Sequence, residues 1–287
     1  MSTFTERRRT MREVLAGERC VSPGSVFDAL SARMAEELGF DAVMLAGSVA
    51  SLAVLGAPDL IVMTLTELAE QAHRICRATR LPLLVDADHG FGNALNVMRT
   101  VAELEHAGVA ALSIEDTVLP RAFGEKTPQL VSLEEGVGKM RAALAGRRDP
   151  ALVIAGRTGA LGGAGTGEAV ARAKAYEAAG VDAIFVVGVR TRAQLDAVSA
   201  AVRLPLIMGG GGPELSDAGY LASRRVRVRI PPHQPILAAV QAAYATLSAM
   251  RAGPGAAPPP TLAPDELMKR LTRDADYARW SGEFLGG

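Results

Sequence analysis

Short apolar runs alternate with longer amphipathic segments along most of the chain. A unit of helix, glycine and apolar strand recurs at 35–45, 103–114 and 175–187. A second unit, in which Leu-Pro opens the strand, recurs at 77–85 and 200–208. Glycine just past the last helical residue is a common helix terminator, so the first unit predicts a helix followed directly by a strand.

Eight apolar runs of strand length are spaced through this pattern, with helical patterns between nearly all of them. Eight strands alternating with helices are typical of an α/β fold closed as a (β/α)8 TIM-type barrel. A doubly wound sheet is the alternative, but no glycine-rich phosphate fingerprint follows the first strand. The predicted strands lie at about 19–22, 41–46, 82–86, 110–115, 151–156, 182–187, 204–208 and 225–230.

The two ends of the chain predict additions to this barrel. Residues 1–250 would hold the barrel together with an amphipathic N-terminal helix at 3–17. The last barrel helix is predicted at 234–250, followed by a Pro/Gly/Ala linker at 251–264 and a C-terminal helical segment at 265–287. A helix tethered by such a linker can pack on a partner subunit, which is a hypothesis for this chain.

The start of the barrel is predicted from small residues and helix breakers. Residues 20–22 are expected to form a short first strand, which Pro23 and Gly24 would end. Ser25 is then expected to cap a helix at 26–38, because serine is a favoured residue at helix N-termini.

Composition narrows the class of protein. Hydrophobic residues make up 49% of the 287 residues and aromatic residues only 4%, which suits aliphatic strands buried under alanine-rich helices. Lys+Arg and Asp+Glu both number 31, so no nucleic-acid or membrane partner is expected. Cys20 and Cys76 are isolated and are expected to be small buried hydrophobes. Without a secretory signal or an apolar run near the roughly 18 residues of a membrane span, a cytoplasmic enzyme is expected.

Acidic side chains follow two neighbouring predicted strands. Asp86 and Asp88 come directly after the apolar run at 81–85, and Glu115 and Asp116 follow the run at 110–114. Parallel α/β folds place their chemistry at the carboxyl ends of the strands. Convergent carboxylates repel one another unless a cation is present, and hard oxygen ligands favour Mg²⁺ or Mn²⁺. The alternative is that these acids cap the following helices.

Further polar residues stand at other strand ends. Gly47 and Ser48 close the second strand, where a helix N-terminus would cradle an anion, although a simple helix cap is the alternative. Asp59, in the loop that follows, is a candidate acid or base. Arg157, after the fifth strand, would bind a substrate carboxylate bidentately or pair with a neighbouring acid. His233 follows the eighth strand and is expected to face the same end of the barrel.

The remaining histidines and the last strand give weaker indications. His73 and His106 fall in predicted helices and are expected at the surface. His89 lies inside the DADHGFG loop, and support of the loop is favoured over contact with the site. The last strand alternates apolar residues with three arginines, for which no role is predicted: Arg225, Arg227 and Arg229.

Taken together, these segments resemble the isocitrate lyase/phosphoenolpyruvate mutase superfamily from about residue 10 to 250. The resemblance is carried by PGSVFDALSARMAEELGFDAVMLAGSVAS, DADHGFGNALNVMRTV, IEDTVLP, EEGVGKMRAAL and the strand that ends at Arg157. The segment at 120–126 lacks the KKCGH-type loop that carries the catalytic cysteine of the C–C lyases. His233 after the eighth strand is most similar to the oxaloacetate decarboxylase branch.

The resemblance implies a metal site and an assembly. Asp86 would bind Mg²⁺ directly, whereas Asp88 and Glu115 would bind it through waters. Members of the superfamily commonly form dimers of dimers that exchange the eighth helix, so a homo-oligomer is expected.

It also implies a substrate site. Gly47, Ser48 and Arg157 would hold a 2-oxo acid through its 2-oxo-carboxylate, and His233 would lie near the departing carboxylate. Loss of CO2 from a β-keto carboxylate leaves an enolate, whose charge the donors at the second strand would stabilise. The expected reaction is therefore Mg²⁺-dependent decarboxylation of a 2-oxo dicarboxylate, most simply oxaloacetate to pyruvate.

Departures from the superfamily pattern at three strands keep alternatives open. The eighth strand ends in Arg229-Ile230-Pro231-Pro232, where an Asn-Gly pair is usual. Gly159 and Leu161 stand where polar and acidic side chains are usual, and glycines fill 209–212 where the decarboxylase branch has bulkier residues. A wall emptied in this way would admit a larger substrate of a C–C or P–C bond lyase or mutase. The other alternative is a catalytically impaired barrel that still binds Mg²⁺ and a 2-oxo acid.

Overall fold

Eight parallel strands form one sheet in their sequence order. The computed structural model describes residues 3–253 and 261–286. Each strand pairs with its chain neighbours from β1 to β8, and helices connect successive strands. The predicted (β/α)8 barrel is therefore confirmed. The strands are β1 Gly24–Ser25, β2 Val43–Leu45, β3 Leu83–Asp86, β4 Ala111–Glu115, β5 Val153–Thr158, β6 Ala183–Val187, β7 Leu206–Gly209 and β8 Val226–Ile230.

The seam between the last and the first strand is closed by a single residue. Val21 donates to the carbonyl oxygen of Arg227 at 2.9 Å and accepts from the amide of Arg229 at 2.9 Å. Strand β1 itself lies after Pro23, so the prediction that the first strand ends there was wrong. Gly24 and Ser25 form the strand because they pair with β2. Neither residue is part of an apolar run, so the sequence pattern does not reveal this strand.

Twelve α-helices surround and extend the barrel within the described residues. Several begin at a capping box, such as Thr3 with Glu6 and Thr64 with Glu67, which satisfies amides at the helix start. Asp28 caps α2, so the expected cap at Ser25 was wrong. The helices are α1 Phe4–Ala16, α2 Ala29–Glu37, α3 Gly47–Leu55, α4 Leu65–Ala78, α5 Ala94–His106, α6 Leu133–Gly146, α7 Thr166–Ala179, α8 Arg192–Ala201, α9 Ala218–Ser223, α10 Gln234–Ala252, α11 Asp265–Thr272 and α12 Asp274–Leu285.

Aliphatic side chains from the strands and the inner helix faces form one continuous core. The strands are buried almost throughout, and α4 buries Leu68, Ala72 and Ile75 at helical spacing. Cys76 is buried in this core as expected, whereas Cys20 is only half-buried. None of the helices in the described ranges is long and apolar enough to cross a membrane.

Two of the three arginines of the last strand hold carbonyl groups at the ends of helices. Arg225 donates to the carbonyl oxygen of Val202 at 2.6 Å, and Arg227 donates to that of Ala222 at 2.9 Å. These bonds give a structural role to side chains for which the sequence suggested none. Arg229 instead lies at the wall of the large cavity described below.

The C-terminal helices differ in how they meet the barrel. Helix α11 packs on α2, since Leu271 is buried and its carbonyl oxygen accepts from Arg33 Nη1 at 2.9 Å. Helix α10 buries Ile236 alone and leaves most of its length exposed. Residues 254–260 of the predicted linker at 251–264 lie outside the described residues.

We expect Leu112→Ala to lower the free energy of unfolding by about 3 kcal/mol, because it empties space in a fully buried strand. Leu95→Ala is the matched control, since Leu95 is 75% exposed, and should change it by less than about 0.5 kcal/mol. Denaturant unfolding of both variants measures the difference. Equal effects would contradict the assignment of the core.

Candidate active site

One large cavity opens at the carboxyl ends of the strands. Its volume is about 1520 Å³. Apart from Gly47, the residues predicted for the site line this cavity, although they come from separate parts of the chain. They are Ser48, Asp59, Asp86, Asp88, Glu115, Arg157 and His233.

Asp86 lies at the centre of the polar end of this cavity. It is the last residue of β3 and is buried. Its Oδ1 accepts from the amide of Asp88 at 3.3 Å and from the hydroxyl of Ser113 at 3.3 Å. Its Oδ2 accepts from Arg157. Neither Asp86 nor Asp88 caps a helix, since Asn93 is the N-cap of α5.

Asp88 is held against the start of α3 by an unusual backbone. Its φ of 47° lies in the left-handed region, which few residues other than glycine adopt. A Cβ added to Gly47 would lie 2.5 Å from Asp88 Oδ1, so glycine is needed there to make room for the carboxylate. A helix N-terminus favours a negative charge. The cap of α3 is Ala46, which excludes the simple-cap alternative for Gly47 and Ser48.

Burial and mutual repulsion raise the pKa of two of these carboxyl groups. Burial raises the pKa of Asp88 well above its usual range, and Asp86 and Glu115 raise it further. Burial also raises the pKa of Glu115 to about 7, although Arg157 acts in the opposite direction. The site therefore disfavours several simultaneous negative charges.

Arg157 provides the cationic side chain among these acids. Its two terminal nitrogens contact Asp86 and Glu115, the latter at 3.0 Å. The guanidinium lies 5.3 Å from the ring centroid of Phe185, and its Nε is buried without a hydrogen-bond partner. The ion-pair alternative from the sequence thus describes the observed contacts. Binding of a substrate carboxylate by this residue stays a prediction.

The charges of this cluster suit a hydrated hard cation. Asp86, Asp88 and Glu115 share one guanidinium, so an additional positive charge would relieve their repulsion. Nowhere in the described ranges do three His, Cys, Asp or Glu side chains converge closely enough to hold an ion by themselves. Such spacing fits one direct ligand assisted by waters, and oxygen donors without thiolates fit Mg²⁺.

Asp59 lies at the exposed rim of the cavity, in the loop after α3. Partial desolvation raises the pKa of the Asp59 carboxyl group, and the negative charge of Asp86 raises it further, whereas Arg157 lowers it. Asp59 therefore lies at the acidic end of the cavity, and its role as an acid or base stays a prediction.

His233 enters the cavity from the segment between β8 and α10. Its Nδ1 lies 2.8 Å from the hydroxyl oxygen of Ser25, the last residue of β1. Burial lowers the pKa of the imidazole, while Asp86 opposes this shift. No local pattern predicts this contact, because Ser25 and His233 are far apart in the sequence and Ser25 fits a helix cap equally well.

Behind the cavity, Asp116 joins several elements and was not predicted as a site residue. It is fully buried and accepts from the Tyr176 hydroxyl at 3.0 Å, from Arg172 at 3.2 Å and from the amide of Gly159 at 3.2 Å. Its neighbour Glu115 is thereby anchored, since Asp116 is tied to the residue that follows β5 and to α7.

The loop that carries the two aspartates is supported from below. Lys139 of α6 is buried and donates to the carbonyl oxygen of His89 at 2.8 Å. His89 is buried but does not line the cavity, in agreement with the expected role in the loop. The surface histidines His73 and His106 lie on α4 and α5, away from the site.

The opposite wall is built largely from backbone. Gly159 and Gly209–Gly211 line it, as expected from the glycines that replace bulkier residues of the superfamily after strands five and seven. A Cβ on Gly209 would lie 2.9 Å from Val187 and 3.1 Å from Phe185, so the residue at this position is constrained by its neighbours. The acidic end therefore concentrates the carboxylates, whereas this wall combines glycine backbone with the side chains of Arg229 and His233.

Comparison with known proteins agrees with this arrangement. A family model described as phosphoenolpyruvate phosphomutase matches residues 12–251. The chain belongs to this family. It is 57% identical to an oxaloacetate decarboxylase of Bradyrhizobium sp. (strain BTAi1 / ATCC BAA-1182), with 96% of each chain covered. It is 56% identical to an oxaloacetate decarboxylase of Rhodopseudomonas palustris (strain BisB18), with 99% of each covered.

Solved structures of the family share the fold over the whole chain. An oxaloacetate acetylhydrolase in complex with the inhibitor 3,3-difluorooxalacetate has a TM-score of 0.87 at 28% identity, with 100% of this chain and 99% of that chain covered. A phosphonopyruvate hydrolase in complex with oxalate and Mg²⁺ has a TM-score of 0.85 at 30% identity, with 99% and 100% covered. The superfamily resemblance inferred from the motifs is confirmed.

The raised pKa of Glu115 predicts a pH dependence of stability. Folded Glu115 keeps its proton up to about pH 7, whereas the unfolded residue releases it near the ordinary value of 4.5. Because the folded state binds the extra proton, the free energy of unfolding should fall as pH rises from about 4.5 to 7. Glu115→Gln removes this contribution, so the variant should gain stability relative to wild type across that window.

Denaturant unfolding with a chelator present, from pH 4 to 8, measures this difference. Glu266→Gln is the control, because Glu266 is exposed on α11 and should follow wild type at every pH. A constant difference between Glu115→Gln and wild type would contradict the raised pKa.

Proposed function

We propose that this protein catalyses the Mg²⁺-dependent decarboxylation of oxaloacetate to pyruvate and CO2. The observation that carries the proposal is the cluster of Asp86, Asp88, Glu115 and Arg157 beside the start of α3. It joins a site for a divalent cation to donors for a carboxylate at one end of the cavity. The relatives named oxaloacetate decarboxylase, which cover nearly the full chain, support the choice of substrate.

Each acidic residue has a place in this proposal. Asp86 would hold Mg²⁺ directly, and Asp88 and Glu115 would hold its waters. When bound, Mg²⁺ supplies Lewis acidity toward the ketone of a 2-oxo acid. Asp59, at the rim with a raised pKa, is placed to exchange protons with groups in the cavity.

The chain itself supplies the donors that the reaction needs. The amides of Gly47 and Ser48 open α3, where a helix N-terminus favours developing negative charge. Arg157 would hold the carboxylate that is retained. His233 would lie near the carboxylate that departs, and burial favours its neutral form.

Decarboxylation of a β-keto acid requires no covalent nucleophile, and the cavity agrees with this chemistry. Neither cysteine is among the residues that line it. Burial raises the pKa of Cys76 to about 12, so this thiol stays protonated and unreactive.

The cavity volume favours a second candidate function. At about 1520 Å³ it exceeds the ~300–1,000 Å³ common for small-ligand sites, and the glycine wall adds little bulk. Cleavage of a C–C or P–C bond in a larger substrate is therefore the alternative. Assays with 2-methylisocitrate, 2,3-dimethylmalate and phosphonopyruvate would separate it from decarboxylation.

We expect wild-type protein with Mg²⁺ to consume oxaloacetate well above the rate of free Mg²⁺. Asp86→Ala should lose at least about a hundredfold in kcat/KM, because a principal ligand and the partner of Arg157 are both removed. Coupled detection of pyruvate, after subtraction of the spontaneous rate, measures the loss. Asp41→Ala is the control, because Asp41 forms an exposed ion pair with Arg19.

Equal rates for wild type and Asp86→Ala would overturn the proposed function. Binding of Mg²⁺ and oxalate without turnover of any 2-oxo acid would instead indicate the impaired barrel. The cytoplasmic location inferred from the sequence stays a prediction.

We also propose that the protein forms a homo-oligomer, a dimer of dimers in the superfamily pattern. Helix α10 supports this, because its apolar residues recur at helical spacing yet are exposed within the described part of the chain. At 58–73% exposure each, they form a stripe whose burial against another copy would be favourable. They are Leu237, Val240, Tyr244, Leu247 and Met250.

Sedimentation of the full chain should therefore show a species larger than a monomer. Leu247→Asp should shift it to smaller species, because a charge would have to be buried at the contact. Gln241→Asp, at an exposed position of the same helix outside the stripe, is the control for a new charge on α10. A wild-type monomer at micromolar concentration would exclude the assembly.

A further inference from the structure

The contact between Ser25 and His233 joins the first and last strands at the cavity. Ser25 lies at the end of β1, and His233 stands just before α10. The seam between these strands is otherwise bonded through Val21, farther from the cavity along the strand. Ser25 Oγ and His233 Nδ1, 2.8 Å apart, therefore connect the two sides of the seam where the imidazole enters the cavity.

The backbone around His233 restricts the place of the ring. Pro231 and Pro232 precede it, and Pro235 follows in the first turn of α10. Proline fixes one backbone angle and also restricts the residue before it. The prolines restrict the chain on both sides of His233, and the hydrogen bond to Ser25 restricts the rotation of the imidazole.

The direction of this hydrogen bond follows from counting donors. Ser25 is buried, and within the described residues its hydroxyl has no hydrogen-bond partner apart from His233. If Nδ1 carried the proton, the hydroxyl would accept and its own proton would have no acceptor. A buried donor without an acceptor costs about 1–3 kcal/mol. Donation from Ser25 to Nδ1 avoids this cost and places the imidazole proton on Nε2.

The second ring nitrogen is available to the cavity. Within the described residues the hydrogen bond of the His233 side chain is made at Nδ1, which leaves Nε2 unbonded, and the side chain lines the cavity. An Nε2–H group is a donor, which suits anionic ligands, whereas an unprotonated Nε2 would repel them.

We propose that Ser25 is a positioning residue that fixes His233 as its Nε2–H tautomer, so that the imidazole presents a hydrogen-bond donor to the substrate. This assignment rests on the proposed decarboxylation for its role in catalysis. The tautomer itself follows from the contact alone and can be tested without turnover.

Long-range ¹H–¹⁵N correlation spectra of the ¹⁵N-histidine-labelled full chain report the tautomer directly. The chain holds four histidines, and comparison with His233→Gln identifies the signals of His233. We expect wild-type His233 to show the Nε2–H pattern and Ser25→Ala to show a mixture of tautomers. An Nδ1–H pattern in wild type, or an unchanged pattern in Ser25→Ala, would overturn the proposal.

Kinetics then test the role in the reaction. Ser25→Ala should lower kcat about tenfold, the lower end of the loss when a group that orients a histidine is removed from metal sites. KM should change little, because the predicted carboxylate contacts at Arg157 and α3 remain. Ser25→Thr keeps the hydroxyl and should recover most of kcat, and Ser25→Cys is the second variant if threonine does not fit. In a His233→Gln background, Ser25→Ala should have almost no further effect.

The two proposals fail in different ways. If wild type does not decarboxylate oxaloacetate but His233 is the Nε2–H tautomer, the proposed function fails and the positioning role of Ser25 stands. If decarboxylation proceeds and Ser25→Ala lowers kcat equally in both backgrounds, Ser25 acts through stability and the positioning role fails.

Discussion

Repulsion among Asp86, Asp88 and Glu115 is the constraint on which the rest of the site depends. Three buried carboxyl groups share one guanidinium, and two of them have raised pKa values as a result of burial and of their neighbours. Two features around them reduce the repulsion between the carboxylates. The start of α3 faces Asp88, and Arg157 bridges the other two. A cation at the same place would complete this compensation.

The barrel supplies the geometry that this cluster requires. Because β3, β4 and β5 are adjacent and parallel, their carboxyl ends bring Asp86, Glu115 and Arg157 side by side. Asp116 then ties the strand end of Glu115 to β5 and α7 from behind. Asp86 and Glu115 are held at strand ends by Arg157, and Asp88 packs against Gly47, so the fold keeps the three acids together despite their repulsion. The fold therefore holds the carboxylates in an arrangement that favours the binding of a cation.

The sequence was sufficient for the features that depend on local pattern. Glycines after helices and apolar runs predicted the strand order, and acids at strand ends predicted the cluster. It was insufficient where a contact joins distant segments. Ser25 fitted a helix cap in its local sequence, and only the closed seam brings it to His233. The pairing of Arg157 with two acids likewise depends on strand register, which one segment does not specify.

The two ends of the cavity differ in the side chains that line them. The acidic end is constrained by charge and by packing such as that of Gly47 against Asp88, and under the proposed function it would bind the groups that every 2-oxo acid shares. The opposite wall must distinguish the remainder of the substrate, and here it consists largely of glycine backbone with His233 beside it. Arg229 of β8 also lines the cavity, so His233 is not its sole donor beside the glycine backbone. The tautomer of His233 decides whether the imidazole adds a donor there or presents a lone pair that repels an anionic ligand.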